Sequence, residues 1–363
     1  MSSPAPASRP ADVPPPGAGV SYVMPVLNEV RYLEPAVRSI LEQETSEPCE
    51  VVLALGLSND GTTELARRIA ADDDRVVLVE NPRTHIPVGL NLAIRASRYP
   101  TVVRVDAHSV LPEGYTRQAL ETLARTRAAN VGGVMKAEGL SPFQSAVART
   151  YTSRFGLGGP SYHVGGDEGP SESAYLGVFR RAVLDEVGLY DESVRRGEDW
   201  ELNLRIRAAG YTVWFDPRLA VTYRPRETWG QLVRQFFATG SWRGELARRL
   251  GSRNGLRYFV PPALVAWLAL TVVVGAVTGL AGLGGAWRWI SAALGAGAAL
   301  YVIALLAVVA SPAGGRTLGD RLRSLVVFPS VHLAWGAGFW NGLLRGAHTT
   351  HDTSRLTTGG TPT

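Results

Sequence analysis

Four short stretches combine residue types that could do chemistry. The first is TVVRVDAHSV (101–110), an apolar run that opens onto Asp106 and His108, two residues apart. A carboxylate and an imidazole at that spacing are either a capping Asp beside a surface His, or two ligands for a divalent metal placed where a parallel sheet exposes its carboxyl ends. The second is MPVLNE (24–29), in which an apolar strand runs into Asn28 and Glu29 and sets two polar side chains at the same edge, as ligand groups or as a capped turn. The third, SNDGT (58–62), contains Asp60, which can cap the next helix and also accept hydrogen bonds from a base or ribose. The fourth, GEDWELNLRIRAAG (197–210), begins with the adjacent acids Glu198 and Asp199, which a first helical turn favours through its dipole.

These side chains share a site only if a frame brings strand ends together. The pattern supplies one. VSYVM (20–24), EVVLAL (50–55), VVLVE (76–80) and TVVRVD (101–106) read as buried strands, and helical spacing fills the gaps between them. Strands alternating with helices at this spacing predict an α/β fold with a mostly parallel sheet, of the nucleotide-binding kind. The stretch 140–175 is Gly- and Ser-rich and reads as a loop, with 156–172 as its mobile part. Helices follow over 179–187 and 199–209, then strand-like VWFD and AVTY.

Charged residues make up 19% of the 363 and hydrophobic ones 45%, but they are unevenly spread. Beyond about residue 257 charges nearly vanish: 258–287, 289–315 and 324–344 hold none. Each meets the length of ~20 residues needed to span a bilayer, although His332 and Asn341 leave the third open between spanning, re-entering and lying in a groove. Arg243, Arg248, Arg249, Arg253 and Arg257 precede the first segment, and Arg316, Arg321 and Arg323 lie between the second and third. By the positive-inside rule both arginine groups are expected in the cytoplasm, which predicts a multi-pass protein of the inner membrane with the preceding α/β domain on the cytoplasmic side. Residues 1–19 are Pro- and Ala-rich without a signal-peptide core, and read as a disordered tail. A single cysteine, Cys49, rules out an internal disulfide. Lys136 is the only lysine, and the net charge of +5 is carried by arginine; no nucleic-acid partner is expected.

Taken in order, the four motifs resemble those of the family 2 glycosyltransferases, with their GT-A fold. That family has an early P-x-x-N-E, a D-G-T turn, a D-x-D-type metal motif after the fourth strand, and an E-D before a helix of the form L-x-x-R-x-x-x-x-G. Leu202, Arg205 and Gly210 stand in that last pattern. The resemblance covers residues 20–245. The RVDAH form of the metal motif, the segment GVFRRAVLDEVGLYDE (177–192) and VPPALV (260–265) make it similar to the succinoglycan-type exopolysaccharide glucosyltransferases. The implied organisation is a tail over 1–19, a GT-A domain over 20–245, a membrane region of two or three helices over 246–345, and a flexible tail over 346–363.

What the resemblance implies is a metal-dependent, inverting transfer from a nucleotide-sugar, a UDP-hexose, to a lipid-linked or polysaccharide acceptor in envelope or exopolysaccharide synthesis. Asp106 and His108 would hold Mn²⁺ or Mg²⁺, and the imidazole leans the choice to manganese. Asp199 would be the base and Glu198 would position the acceptor. Pro25, Leu27, Asn28, Glu29, Asp60, Asn91, Arg104 and Asp106 would line the nucleotide-sugar site, with Arg83 nearby. Gly177, Arg205, Gln235, Trp242 and Arg243 would face the acceptor. Other polysaccharide assembly proteins would be partners.

Two departures qualify this. Where relatives carry paired aspartates after the second strand, this chain has Leu55 and Gly56, so a backbone carbonyl or Glu29 would have to read the base. Relatives that polymerise carry Q-x-x-R-W; here QFFATGSWR (235–243) has wider spacing and reversed order, which favours single-sugar transfer. The competing readings are a polyprenyl-phosphate glycosyltransferase and a non-catalytic scaffold of a polysaccharide assembly complex.

Overall fold

The first strand, β1 (Val20–Val26), is buried at every residue except Pro25. Such a near-continuous apolar run is what a strand covered on both faces requires. In the computed structural model, which describes residues 9–12, 14–15, 17–158, 161–194, 196–250 and 256–347, β1 pairs in parallel with β2 (Cys49–Leu55) and β4 (Thr101–Arg104). Beside β2 lies β3 (Val76–Glu80), also parallel. Among the described residues the sheet has eight strands in the order β3-β2-β1-β4-β7-β5-β8-β6, with β5 (Asn130–Ala137), β6 (Gly169–Pro170), β7 (Tyr175–Arg180) and β8 (Val213–Tyr223).

Alternation along β1 assigns its side chains to two cores. Tyr22 and Met24 pack with α1 (Leu33–Leu41) and α4 (Tyr115–Thr126); Val23 packs with α3 (Ile86–Ala96), α7 (Arg181–Val187) and α8 (Glu198–Ala208). Helix α2 (Thr62–Asp72) joins the first of these cores through Leu65 and Ala66. The expected fold class is thus found: a mostly parallel sheet with helices on both faces.

The second half of the sheet departs from the sequence pattern. Residues 179 and 180 are not helical: β7 runs through Arg180, antiparallel to both β4 and β5, and α7 starts at Arg181. The Gly- and Ser-rich stretch contains α5 (Pro142–Thr152), started by a reciprocal capping box between Ser141 and Gln144. Farther along it, α6 (Ser161–Val164) is one turn, and Gly169 and Pro170 pair with β8.

The chain divides into two units, 1–136 with 159–223, and 137–158 with 224–363. The boundary expected at 245 falls inside α9 (Trp229–Leu250) of the second unit. Within the stretch read as a tail, Arg9 bridges Tyr211 and donates its amide to Gly210 O, and Ala11 is buried. Residues 1–8, Arg253 and the expected tail beyond 347 lie outside the described residues.

In the second unit, α10 (Val260–Leu280) and α11 (Ala286–Ala310) are long and apolar enough to cross a membrane. The most apolar stretch of α10 buries nothing, unlike the core helix of a globular domain. The third apolar segment lies in α12 (Leu318–Arg345), a continuous helix around Pro329 that packs along α9. Their backbones approach closely at Gly240 and Gly244, which meet Phe339, and at Gly338 and Gly342, which meet Phe237 and Ser241; a Cβ at Gly342 would lie 1.8 Å from Ser241 O. Small residues four apart on both helices permit this crossing.

Candidate functional site

Two loops at the carboxyl ends of β1 and β2 are tied to each other by their own polar groups. Asn28, left-handed at φ 54°, donates its amide to Ser58 Oγ (3.0 Å) and accepts from the amide of Asn59 (3.0 Å). Asn is among the few residues that adopt this conformation at low cost. The Glu29 amide donates to Thr62 Oγ1 (2.8 Å), and Val30 N to Asp60 Oδ2 (3.2 Å). Asp60 Oδ1 accepts from Thr62 N (3.0 Å). Burial pushes the Asp60 carboxyl up, but these bonds from Thr62 and Val30 outweigh it and hold the group below its usual range. Both Asp60 oxygens therefore serve the loops.

The tie turns the Glu29 side chain toward the end of β4, where its Oε1 lies 3.0 Å from His108 Nδ1. With a proton on Nδ1 donated to that carboxylate, Nε2 carries the lone pair. A carboxylate bonded to the far nitrogen is the usual way a metal-binding imidazole is oriented. Glu29 thus spends Oε1 on His108.

Arg104, the last residue of β4, shares its side of the strand with Asp106. Its Nε and Nη2 lie 3.3 and 3.2 Å from Asp106 Oδ1, Nη2 is 3.2 Å from Glu198 Oε1, and Nη1 donates to Asp199 Oδ1. The two acids enter at the first turn of α8, after Gly197 in the left-handed conformation. Burial works against the charge on Arg104, but the carboxylates of Asp106 and Glu198 more than offset it. Side-chain exposure separates the group: Arg104 7%, Glu198 8%, Asp106 20%, Asp199 37%. Asp199 is the carboxylate an incoming hydroxyl can meet. Behind the cluster, the phenols of Tyr175 and Tyr190 are pushed up by burial and stay neutral.

Three carboxylates from two elements thus surround one guanidinium. Among the described residues no three His, Cys, Asp or Glu side chains form a metal cage. The donor set on hand is Asp106 with His108 Nε2. It suits an ion that takes one or two protein ligands and completes its shell with phosphate and water.

Other expected residues lie elsewhere in their units. Asn91, buried, clasps the backbone of Tyr190 at both ends (2.9 Å each) and bonds Glu192 (3.1 Å), while Arg83 pairs with Glu192 (2.9 Å). Arg205 grips Glu201 through two bonds of 2.7 Å and the carbonyls of Val187, Gly188 and Leu189 at 2.8–2.9 Å. Gly177 lets Phe179 and Asn130 close in. Pro25 belongs to β1, and Leu27 lies against Gly56. In the second unit, Tyr151 donates to Gln235 Oε1 (3.1 Å), Trp242 is buried, and the Arg243 guanidinium lies 3.9 Å over the Tyr258 ring. Sequence reasoning missed Tyr190, Tyr175, Thr62 and Glu192. The GLYDE run (188–192) was the one signal for two of them.

Comparison with known proteins follows the same lines. A model of glycosyl transferase family 2 matches residues 21–188. The succinoglycan biosynthesis protein ExoA of Rhizobium meliloti (strain 1021) is 32% identical over 330 residues, 89% of this chain and 94% of that one. A dolichyl N-acetyl-α-D-glucosaminyl phosphate 3-β-D-2,3-diacetamido-2,3-dideoxy-β-D-glucuronosyltransferase of Methanococcus voltae is 21% identical over 240 residues, 63% of this chain and 74% of its own length. Among solved structures, mannosyltransferase PcManGT from Pyrobaculum calidifontis, in complex with GDP-Man and Mn²⁺, has the same fold, with TM-score 0.58 and 21% identity over 93% of this chain and 91% of that one.

Proposed function

This chain belongs to glycosyltransferase family 2 and is a glycosyltransferase, and on that premise we propose that it transfers one sugar, with inversion, from a nucleotide-sugar to a lipid-linked saccharide in exopolysaccharide synthesis. The observation that carries the reading is the convergence of Asp106, from the end of β4, and Glu198 and Asp199, from the start of α8, on Arg104. Strand ends of an open α/β sheet are where such ligands bind.

Asp106 and His108 Nε2 would hold Mn²⁺ or Mg²⁺ against the donor diphosphate, and Glu29 keeps the imidazole in the tautomer this needs. The bound ion would supply neutralisation of the charge that develops on the departing diphosphate. Asp199 accepts the acceptor's proton as its oxygen bonds to the anomeric carbon and the bond to the diphosphate breaks; one displacement inverts that carbon. Glu198, buried beneath, positions Asp199 and the acceptor. Leu55 and Gly56 leave the base to backbone groups, and a UDP-hexose is the donor we favour. The lipid-linked acceptor draws support from the two apolar helices and from the relative in Methanococcus that acts on a dolichyl phospho-sugar. On this reading α10 and α11 cross the inner membrane, the arginine-rich flanks stay cytoplasmic, and other assembly proteins share the lipid intermediate. Intact Asp106, Glu198 and Asp199 argue against a scaffold that has lost catalysis.

The test is transfer by detergent-purified protein across UDP-, GDP- and dTDP-sugars, with membrane lipid extract as acceptor and Mn²⁺, Mg²⁺ or chelator present. Metal-dependent turnover of one donor, abolished in Asp106→Ala and reduced about 10²–10⁴-fold in Asp199→Asn, is expected. Unchanged transfer in Asp199→Asn would point instead to a polyprenyl-phosphate acceptor, which needs little base help.

A further inference from the structure

Arg104 was expected among the residues that bind the donor. Its surroundings assign it something else. The guanidinium is almost wholly enclosed, and its nitrogens reach three carboxylates from two separate elements. Two of those carboxylates, Asp106 and Asp199, hold opposite ends of the proposed reaction, the diphosphate side and the acceptor side. Asp106 sits where β4 gives way to a loop, and Asp199 in the first turn of a helix that starts after a left-handed glycine. Neither backbone by itself fixes the distance between the two side chains. A planar guanidinium with its donors in a rigid fork can.

We infer that Arg104 is a positioning residue for transfer, setting the proton-accepting Asp199 at a fixed separation from Asp106 and acting through Asp199 rather than by gripping the donor. The inference rests on the reading of Asp199 as the base. It explains why a buried cation stands in β4 two residues ahead of Asp106, where alternation points both side chains the same way. It also explains why Asp199, the most exposed of the three acids, is nonetheless held on one oxygen.

The experiment is a double-mutant cycle on transfer, with kcat and donor KM measured for Arg104→Lys, Asp199→Asn and the pair in the full-length protein. Lysine keeps the charge but offers one point in place of a fork. Expected is a loss of about 10²-fold in kcat for Arg104→Lys, the scale of a misplacement near 1 Å, with donor KM within about threefold. In the Asp199→Asn background the same change should cost under about threefold, because residues acting as a unit are not additive. Losses that multiply in the double variant, or a tenfold rise in KM with kcat kept, overturn the inference and return Arg104 to donor binding. A silent Asp199→Asn instead sinks the base assignment, and the inference with it, so the two failures are told apart. Should Arg104→Lys not purify as a folded protein, Arg104→Gln serves with the same criteria.

Discussion

Asn91→Ala separates two roles for one residue. Its side chain meets the Tyr190 carbonyl and amide at 2.9 Å in a buried setting, and the half-buried Glu192 carboxylate at 3.1 Å. Alanine leaves both backbone groups of Tyr190 stranded, and a buried group without its partner costs about 1–3 kcal/mol. Two such groups, partly relieved by relaxation, come to roughly 3 kcal/mol. In a unit of ~200 residues each kcal/mol moves the melting temperature by about 2–4 °C, so a fall of ~6–12 °C is expected. Tyr190 is buried close to Arg104, so loosening it should lower kcat while donor KM stays flat. Thermal unfolding followed by tryptophan fluorescence in detergent, with initial rates at a temperature where the variant is folded, measures both. An unchanged melting temperature with a tenfold higher donor KM would refute the clasp and make Asn91 part of the nucleotide pocket.

Two further outcomes concern stability. Asp216 is enclosed, and although burial pushes its carboxyl up, Arg218 and Thr122 outweigh this and hold it below the usual range, as bonds from Thr62 and Val30 do for Asp60. A lowered folded-state value means stability fully present above the unfolded value, near pH 4, and lost as pH falls through the folded one. Melting temperatures should therefore hold from pH 7 to 5 and drop steeply below about 4, with Asp216→Asn flattening that drop. Gly342→Ala forces a Cβ to 1.8 Å from Ser241 O, so α9 and α12 must part. Loss of a monodisperse peak in size-exclusion chromatography is expected, and a native-like profile would show the crossing to be tolerant.

The parallel half of the sheet was legible because β1 to β4 are short apolar runs separated by amphipathic helices, and one period decides each. The carboxyl edge was legible too, since Asp106, Asn28 and Glu29 lie two or three residues past strand ends. Of the other half, only β8 was foreshadowed, by VWFD and AVTY. In β5, Gly132 and Gly133 dilute the apolar pattern, and a Cβ at Gly133 would lie 1.8 Å from Leu219 O, a pairing no local window reveals. β7 was hidden because YLGVFRRAVLDEV runs from strand to helix without a turn residue between. The polar ties escaped for a related reason. Asn91 with Tyr190, Arg205 with the 187–189 carbonyls and Glu29 with His108 join positions 16 to 99 residues apart. Side chains that look like ligands in sequence can be spent on backbone once the chain folds.

That the second unit takes up residues 137–158 as well as 224–363 bears on the order in which the protein is made. Helix α5 leaves the ribosome early, yet its partners come last: Arg149 meets Asp320, Tyr151 meets Gln235, and the His332 ring bonds the Phe155 carbonyl 177 residues back. Until α9 and α12 are synthesised, α5 lacks the partners it packs on. A shortened gene that stops after β8, the obvious route to a water-soluble catalytic fragment, would keep that helix and delete α9 and α12, on which it packs. Such a fragment should be sticky unless 137–158 is replaced by a short polar bridge.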